Sequence, residues 1–367
     1  MTDKPKVVAV ALLSGGLDST LAAKVILEQG ITVVGINFAG AYCPRPFTGK
    51  SRAQKAAEKL GIELVTLPID AEFIAMVKNP RHGRGKNMNP CIDCHTLMIR
   101  KAWEYGQKPH CRLQNADCRM QDQKSGLPEG WTADLVITGE VLGQRPMSQN
   151  RNALNTVARE SGVGDRLLRP MSARQLDVTA PEREGLVDRE RLLDIEGRQR
   201  NRQMALAEKY GIKDYPTPAG GCLLTEKVFS KRLAEAFDHG EDSLEIVELL
   251  SLGRHFRLPS GARVVVGRDE PENDELLRRA PAGSVVIDAG DLPGPVGLVI
   301  SDCRLQNADC RARSGEARAD EDTVLAARIC ARFSDKRREQ TVKVKVAETE
   351  ITVPPAGEEE TARLLIA

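Results

Sequence analysis

Aromatic residues are scarce in this chain: two Trp, four Tyr and seven Phe make up 4 % of 367 residues. Capture of nucleic acid by stacked rings is therefore not the obvious mode. Long hydrophobic runs are lacking too. No apolar stretch approaches the roughly 18 residues of a membrane span, so membrane insertion is not expected. Lys4 and Lys6 precede an apolar Val7 to Leu13, but Ser14, Gly15, Gly16 and Asp18 cut that run short, and no targeting signal is read. Charge of one sign does not dominate: 53 Lys and Arg against 52 Asp and Glu leave a formal +1. A nucleic-acid partner must then be held by a local basic face. What is present is cysteine, nine in all. In a chain without a recognisable leader they fit a reducing cytoplasm, where thiols act as ligands or nucleophiles more often than as disulfides. The length suits two or three domains.

The first 150 residues alternate strand and helix signals, the pattern of a parallel sheet covered on both faces. Val7 to Leu13 reads as a buried strand, and Ser19 to Gln29 as a helix with Leu21 and Val25 at helical spacing, stopped by Gly30. Strands are expected over Thr32 to Phe38, Glu63 to Pro68 and Asp134 to Thr138, with helices over Ser51 to Leu60 and Ile92 to Tyr105. The fold class is α/β, a doubly wound parallel sheet, with a second, smaller α+β domain. Residues 1–180 are the expected nucleotide domain, and 181–250 a helical linker with a long charged helix, or a pair, over Arg189 to Tyr210. The smaller domain spans 251–350, with β-like runs at Ala262 to Gly267 and Ser284 to Ile287, and 351–367 is a tail.

The nonapeptide CRLQNADCR occurs at Cys111 to Arg119 and again, unchanged, at Cys303 to Arg311. The flanking segments differ, so this is no duplicated domain, and both copies read as surface-loop sequence. A zinc site from Cys111, Cys118, Cys303 and Cys310 would need the two domains to touch. Six residues between cysteines also exceed the usual zinc spacing of about two to four.

Directly after the first strand, Ser14 to Thr20 reads SGGLDST and runs into a helix. Gly15 and Gly16 permit a tight turn with exposed amides, the helix adds the positive end of its dipole, and Ser14, Ser19 and Thr20 add hydroxyls. This is an anion cradle without the lysine of a Walker A loop or the spacing of a dinucleotide fingerprint. Asp18 would repel bare phosphate, and its natural role is to hold Mg²⁺ against the phosphates. A glycine turn capping a helix is the plain alternative.

In NPCIDCH, Cys91 and Cys94 stand three apart on one helical face, with Cys91 at the helix start where the dipole favours thiolate. Cys222 follows Gly220 and Gly221 in PAGGCLLTE. Such a set serves a dithiol redox pair, a zinc site or a three-cysteine iron–sulfur cluster, and spacing alone does not choose. Cys43 and Cys330 read as ordinary core or loop thiols.

SGGLDST after a first strand resembles the pyrophosphate loop of the ATP pyrophosphatase (PP-loop) superfamily, whose members cut ATP between the α and β phosphates and adenylate a substrate. With NPCIDCH and the later GGC, the chain is similar to tRNA thiolases of the thiouridylase type. GEVLGQRPMSQNRNAL (Gly139 to Leu154) and LLRPMSARQL (Leu167 to Leu176) are similar to the PP-loop domain of 4-thiouridine synthetase. The resemblance implies ATP contacts at Ser14, Gly15, Gly16, Asp18, Ser19, Thr20, Asn37, Gly139 and Gln144, with Mg²⁺ on Asp18. It implies that Cys91, Cys94 and Cys222 hold a 4Fe-4S cluster, or in cluster-free relatives that Cys94 and Cys222 are persulfide carrier and partner. Zinc or no metal remain the alternatives at these thiols. Gln144, Arg145 and Gln149 fall after a strand, where α/β sheets place ligands, and are expected at nucleotide or RNA. Lys24 and Lys50 are further candidates for phosphate, though helix-surface lysines are commonly just solvated.

The strand leading into the loop begins by Val7, without the N-terminal RNA-binding modules of 4-thiouridine synthetase, so RNA capture is expected elsewhere. GRHFRLPSGARVVVGRDEPENDELL from Gly253, then DLPGP, resemble the RNA-binding domain of the NFACT family. That resemblance implies Arg254, Arg257, Arg263 and Arg268 as phosphate contacts; solvated surface arginines are the plain reading. Together these expectations describe an ATP-dependent tRNA sulfurtransferase of the cytoplasm. Its catalytic residues would be Asp18, Cys91, Cys94 and Cys222, its partners tRNA and a sulfur donor, either sulfide or a cysteine desulfurase. Another PP-loop adenylating enzyme, or a non-catalytic RNA-binding protein with a vestigial nucleotide site, are the rivals.

Overall fold

The computed structural model describes residues 7–43, 49–108, 130–213, 215, 222–288, 294–300, 315–347 and 349–367. Both copies of the nonapeptide, and Gly220 and Gly221, lie outside them. The first unit carries β1 (Val8–Leu12), α1 (Leu17–Leu27), β2 (Thr32–Ala39), α2 (Arg52–Leu60), β3 (Glu63–Pro68), α3 (Ala71–Lys78), α4 (Cys91–Gly106), β4 (Leu135–Ile137), α5 (Arg151–Glu160) and β5 (Leu167–Leu168). Three helices follow: α6 (Ala180–Arg183), α7 (Asn201–Lys209) and α8 (Lys227–Asp238). The last part holds α9 (Leu244–Leu249), β6 (Arg254–Arg257), β7 (Arg263–Val266), α10 (Glu270–Arg279), β8 (Val285–Asp288), β9 (Gly297–Ile300), α11 (Gly315–Arg332), β10 (Val342–Val346), β11 (Thr349–Val353) and α12 (Glu358–Leu364). Among the described residues no helix is long and apolar enough to cross a membrane.

The first sheet is parallel throughout, in the order β3-β2-β1-β4-β5. Alternation along β1 explains why both faces are covered. Val8 and Val10 pack with Leu97, Ile99 and Ala102 of α4 and Val157 of α5, whereas Ala9 and Ala11 pack with Ala23, Val25 and Ile26 of α1. The small alanines let α1 lie close to the sheet. The chain works outward from β1 to β3, then returns to pair β4 on the other side of β1. The switch point thus falls between β1 and β4, where open α/β sheets bind ligands at their carboxyl ends.

The second sheet is antiparallel, in the order β11-β10-β8-β9-β7-β6. Ala326, Ala327, Ile329 and Cys330 of α11 cover one face against Phe256, Val264, Ile287, Val299 and Val344. Ile246, Leu249 and Leu276 of α9 and α10 cover the other against Val265, Leu298 and Ile300. Cys330 is the core thiol the sequence suggests: its residue is fully buried and burial pushes its thiol up to about 12. The domain does not stop at 350. β11 pairs with β10, and the segment after α12 returns to β6 through Ile366 N–H donating to the His255 carbonyl at 2.8 Å.

Two departures from the sequence reading matter for the site. The expected long helix, or pair of helices, over Arg189 to Tyr210 is a single 3-10 turn at 189–191 and then α7, separated by Gly197 with a left-handed φ of 87°. And α8 serves both cores: Phe229, Leu233 and Ala236 pack with the first sheet's cluster, while Arg232 donates to the carbonyls of Leu250 at 2.9 Å and Gly253 at 3.1 Å, the lead-in to β6.

Candidate nucleotide and thiol site

The loop after β1 turns through Gly15 at φ 74°, where a side chain would strike the Arg52 backbone at 2.3 Å. Only glycine allows the loop to lie against the start of α2. The Ser19 hydroxyl donates to the Gly16 carbonyl at 3.0 Å and Thr20 Oγ1 donates to the same oxygen at 2.8 Å. Those two hydroxyls thus brace the loop instead of standing free for phosphate, and both residues are buried. Gly139 is a packing glycine, since a Cβ there would meet Ser19 N at 2.4 Å; it brings the end of β4 onto the first turn of α1. Helices α2, α3 and α5 are capped by the side chains of Ser51, Asp70 and Asn150, but α1 receives no side-chain cap. The amides of its first turn therefore face the loop mouth without intrahelical partners.

Asp18 sits at this mouth. Gln144 Nε2 donates to its Oδ2 at 3.1 Å and Arg200 Nη2 lies 3.6 Å from the same oxygen. Its other oxygen, Oδ1, is buried with no hydrogen-bond partner. Burial pushes the carboxyl above its ordinary range, against the downward pull of Arg200, Gln144 and Arg145. A buried carboxylate oxygen with an open valence beside free amides is a suitable oxygen donor for Mg²⁺. The structure thus brings together Ser14, Gly15, Gly16, Asp18, Ser19, Thr20, Gly139, Gln144 and Arg145, and Gln149 is buried nearby with Oε1 unpaired. Asn37 lies on the adjoining β2, half-buried and in register with Thr66. Lys24 pairs with Glu28 and Lys50 with Glu58, so neither stands apart for phosphate. Arg200 was not legible as a site residue, because a charged stretch gives no sign of which arginine turns inward.

The thiols come from three segments. Cys91 opens α4 and donates to Asn89 Oδ1 at 3.1 Å. Cys222 precedes a turn stitched to the same region: Met88 N–H donates to the Leu224 carbonyl at 3.1 Å and Asn87 Nδ2 to the Thr225 carbonyl at 2.8 Å. Cys43 closes a turn with Gly40 after β2. Cys43, Cys91 and Cys222 all act electrostatically on Cys94, so Cys43 belongs with this group and not with the ordinary thiols. A single cysteine has no spacing to reveal it. Cys94 is partly exposed as a residue, yet its sulfur is enclosed, and burial with the neighbouring thiols raises it well above the usual range. Burial likewise raises Cys222, and Cys43 to about 11. Cys94, one turn into α4, is thus held toward the neutral thiol by its enclosure. Among the described residues no three His, Cys, Asp or Glu side chains are grouped so as to hold a metal ion. As arranged here, Cys91, Cys94 and Cys222 do not form the ready cluster site that the resemblance implies.

Between thiols and loop lies a buried polar bridge. His95, next to Cys94, holds Nδ1 2.7 Å from Glu140 Oε1, and Arg169 Nε donates to Glu140 Oε2 at 2.9 Å. Burial would raise the Glu140 carboxyl, but Arg169 and His95 outweigh it and hold the group down at about 2. Glu140 follows Gly139, so one segment ties the cysteine helix to the phosphate loop.

The arginines of the second domain are placed otherwise than expected. Arg263 is fully buried and meets Glu241 with Nε donating at 2.7 Å, while Arg257 forks onto Glu235 and Glu241 with contacts from 2.6 to 3.0 Å. Both are committed to α8 and its following turn, and neither faces phosphate. Arg268 is half-exposed and paired with Glu272. Arg254 lies over the Phe333 ring at 4.5 Å.

Residues 6–105 match the model of the tRNA methyl transferase HUP domain, and residues 253–364 that of the NFACT protein RNA binding domain. The chain is thus similar to a HUP domain over its first part and to an NFACT RNA-binding domain over its last. A tRNA-specific 2-thiouridylase MnmA from Campylobacter fetus is 35 % identical over 104 residues, 27 % of this chain and 31 % of that protein. The MnmA of Magnetococcus marinus is 27 % identical over 150 residues, 35 % of this chain and 40 % of that one. The chain thus matches about a third of the length of these curated relatives. Among solved structures, the U34-tRNA thiolase NcsA from Methanococcus maripaludis with its 4Fe-4S cluster aligns at 15 % identity and TM-score 0.28, covering 68 % of this chain and 72 % of that one.

Proposed function

We propose that the HUP domain binds MgATP at the loop after β1 and uses it to thiolate a uridine of tRNA in the cytoplasm, the NFACT domain contributing RNA binding. The observation that carries this is Asp18: a buried carboxylate with an unpaired oxygen, beside uncapped α1, at the switch point of the sheet. The matched part of MnmA, named as tRNA-specific 2-thiouridylase, supplies the substrate class.

A uracil carbonyl oxygen is a poor leaving group. Transfer of AMP to it, with pyrophosphate departing, turns that oxygen into one that leaves as AMP. Mg²⁺ on Asp18 would supply charge neutralisation for the pyrophosphate. The first-turn amides of α1 and the Ser14 hydroxyl would orient the phosphates, and Gln144 would keep Asp18 in place through its 3.1 Å hydrogen bond. Sulfur then attacks the activated carbon. The thiols of Cys94 and Cys222 suit a persulfide carrier and its partner, and their enclosure keeps water from the carried sulfur. Attack by the partner thiol frees the thiolated base and leaves a disulfide, which an external thiol reductant reopens. The carrier takes its outer sulfur from a persulfide donor, such as a cysteine desulfurase, by transfer of sulfane sulfur from the donor's persulfide, whose thiol is released.

The test is pyrophosphate release and thiouridine formation with tRNA, MgATP, a persulfide donor and an external thiol reductant. Asp18→Ala is expected to lower pyrophosphate release by at least a hundredfold. Cys222→Ala is expected to bind ATP as the parent does and to form no thiouridine by mass spectrometry. Thiolation at the parent rate by Cys222→Ala would overturn the assignment of that thiol, and tRNA binding with no pyrophosphate release by the parent would favour an RNA-binding protein.

A further inference from the structure

Three residues of α1 and the start of α7 keep buried polar atoms without partners. Arg200, the residue before α7, reaches Asp18 only at 3.6 Å, too long for a hydrogen bond, and its Nε is buried with no partner. Gln203, one turn further along α7, is 0 % exposed, and neither Nε2 nor Oε1 has a partner. Asp18 Oδ1 is the third. Residues three apart share a helix face. The same face continues through Leu206, Ala207 and Tyr210, which pack on Leu17, Leu21 and Ala22 of α1. Arg200 and Gln203 are therefore turned toward the first turn of α1, the turn that carries Asp18.

A buried amide with both ends unpaired costs stability and is uncommon in a folded chain. An orphaned Nε alone is not distinctive, since Arg232 and Arg328 also have one, but Gln203 is fully buried with both amide ends unpaired beside the Asp18 oxygen that also lacks a partner. We propose that Arg200 and Gln203 clamp the pyrophosphate end of the nucleotide: the guanidinium takes phosphate oxygens, and the Gln203 amide donates to a phosphate oxygen and accepts from a metal-bound water. Asp18 would hold the divalent ion that accompanies the phosphates, and Arg200, only 3.6 Å from that carboxylate, would then turn to the anion. Fork geometry suits guanidinium to phosphate. This rests on the reading that the loop binds MgATP. It adds that recognition of the leaving pyrophosphate comes from α7, outside the SGGLDST motif.

The experiment measures binding of MgATP, magnesium pyrophosphate and AMP to the full chain by calorimetry, together with thermal melting in the absence of ligand. Arg200→Ala is expected to weaken MgATP and pyrophosphate at least tenfold while AMP changes less than twofold; Arg200→Lys should recover part of the loss. Gln203→Met, which replaces the unpaired amide by an apolar chain of similar volume, is expected to melt above the parent yet bind pyrophosphate at least fivefold more weakly. A merely structural residue would not move the two readouts in opposite directions. Should Arg200→Ala fail to fold, Arg200→Lys and Gln203→Met decide alone. Parent-like pyrophosphate binding by the variants, or equal loss of AMP and pyrophosphate, overturns the clamp and leaves the nucleotide site standing. A parent that binds neither MgATP nor pyrophosphate overturns the nucleotide reading, and the clamp with it.

Discussion

The two arginines at the start of the second sheet, Arg257 and Arg263, are answered by carboxylates on and after α8, and the mouth of the loop after β1 leaves buried polar atoms unanswered. Arg257 and Arg263 share Glu235 and Glu241 in a closed set of short contacts between the sheet and α8. At the loop after β1, by contrast, Asp18, Arg200 and Gln203 keep buried polar atoms without partners. Both regions place charge in a low-dielectric setting, where a lone ion is expensive. The difference separates two settings: beside the second sheet the guanidinium forks of Arg257 and Arg263 meet carboxylates, while at the loop mouth Asp18 Oδ1 and the Gln203 amide meet no partner.

Breaking the closed set should have the largest effect. Glu241→Ala leaves two guanidinium groups with one carboxylate between them, and a loss of about 3–5 kcal/mol is expected in urea or thermal unfolding. A loss below about 1 kcal/mol would show that the set is not the tie between the domains that its geometry describes. The Glu140 bridge comes next. Its folded pKa of about 2 lies below the model-peptide value of 4.5, so its stabilisation is in place above pH 4.5 and disappears as pH falls toward 2. Melting temperatures of the parent should therefore drop more steeply over that range than those of Glu140→Gln, by an amount on the order of 3 kcal/mol. The smallest effect sharpens the contrast by its sign. The folded pKa of Asp18 is raised, so the ionised carboxylate opposes folding once pH rises above the ordinary Asp value. Without nucleotide, Asp18→Asn should melt slightly above the parent at pH 7. A clear destabilisation would make Asp18 a structural residue.

Local chemistry was legible and long-range pairing was not. SGGLDST announces a turn that needs Gly15 and a helix that starts beside Asp18, and strand and helix appear where the motif puts them. Glu63–Pro68 is likewise a strand over the expected residues. Arg200 meets Asp18 only because α7 packs on α1, a contact with no local signature. Arginine is read as a surface residue by habit of composition. Arg257 and Arg263 escape that habit because Glu235 and Glu241, more than a dozen residues upstream, are folded against them. The cysteine pair was visible through its spacing, but Cys43 joins it only through the turn after β2.

One helix has its two sides in different domains. Phe229, Leu233 and Ala236 of α8 belong to the core beneath Cys222, and Arg232 and Glu235 grip the opening of the second sheet. Whatever the far sheet holds is thereby gauged against the sulfur of Cys222, as the jaws of a caliper are gauged by its beam. Lengthening that beam by one helical turn, about 5.4 Å, would shift the scale and leave both jaws intact.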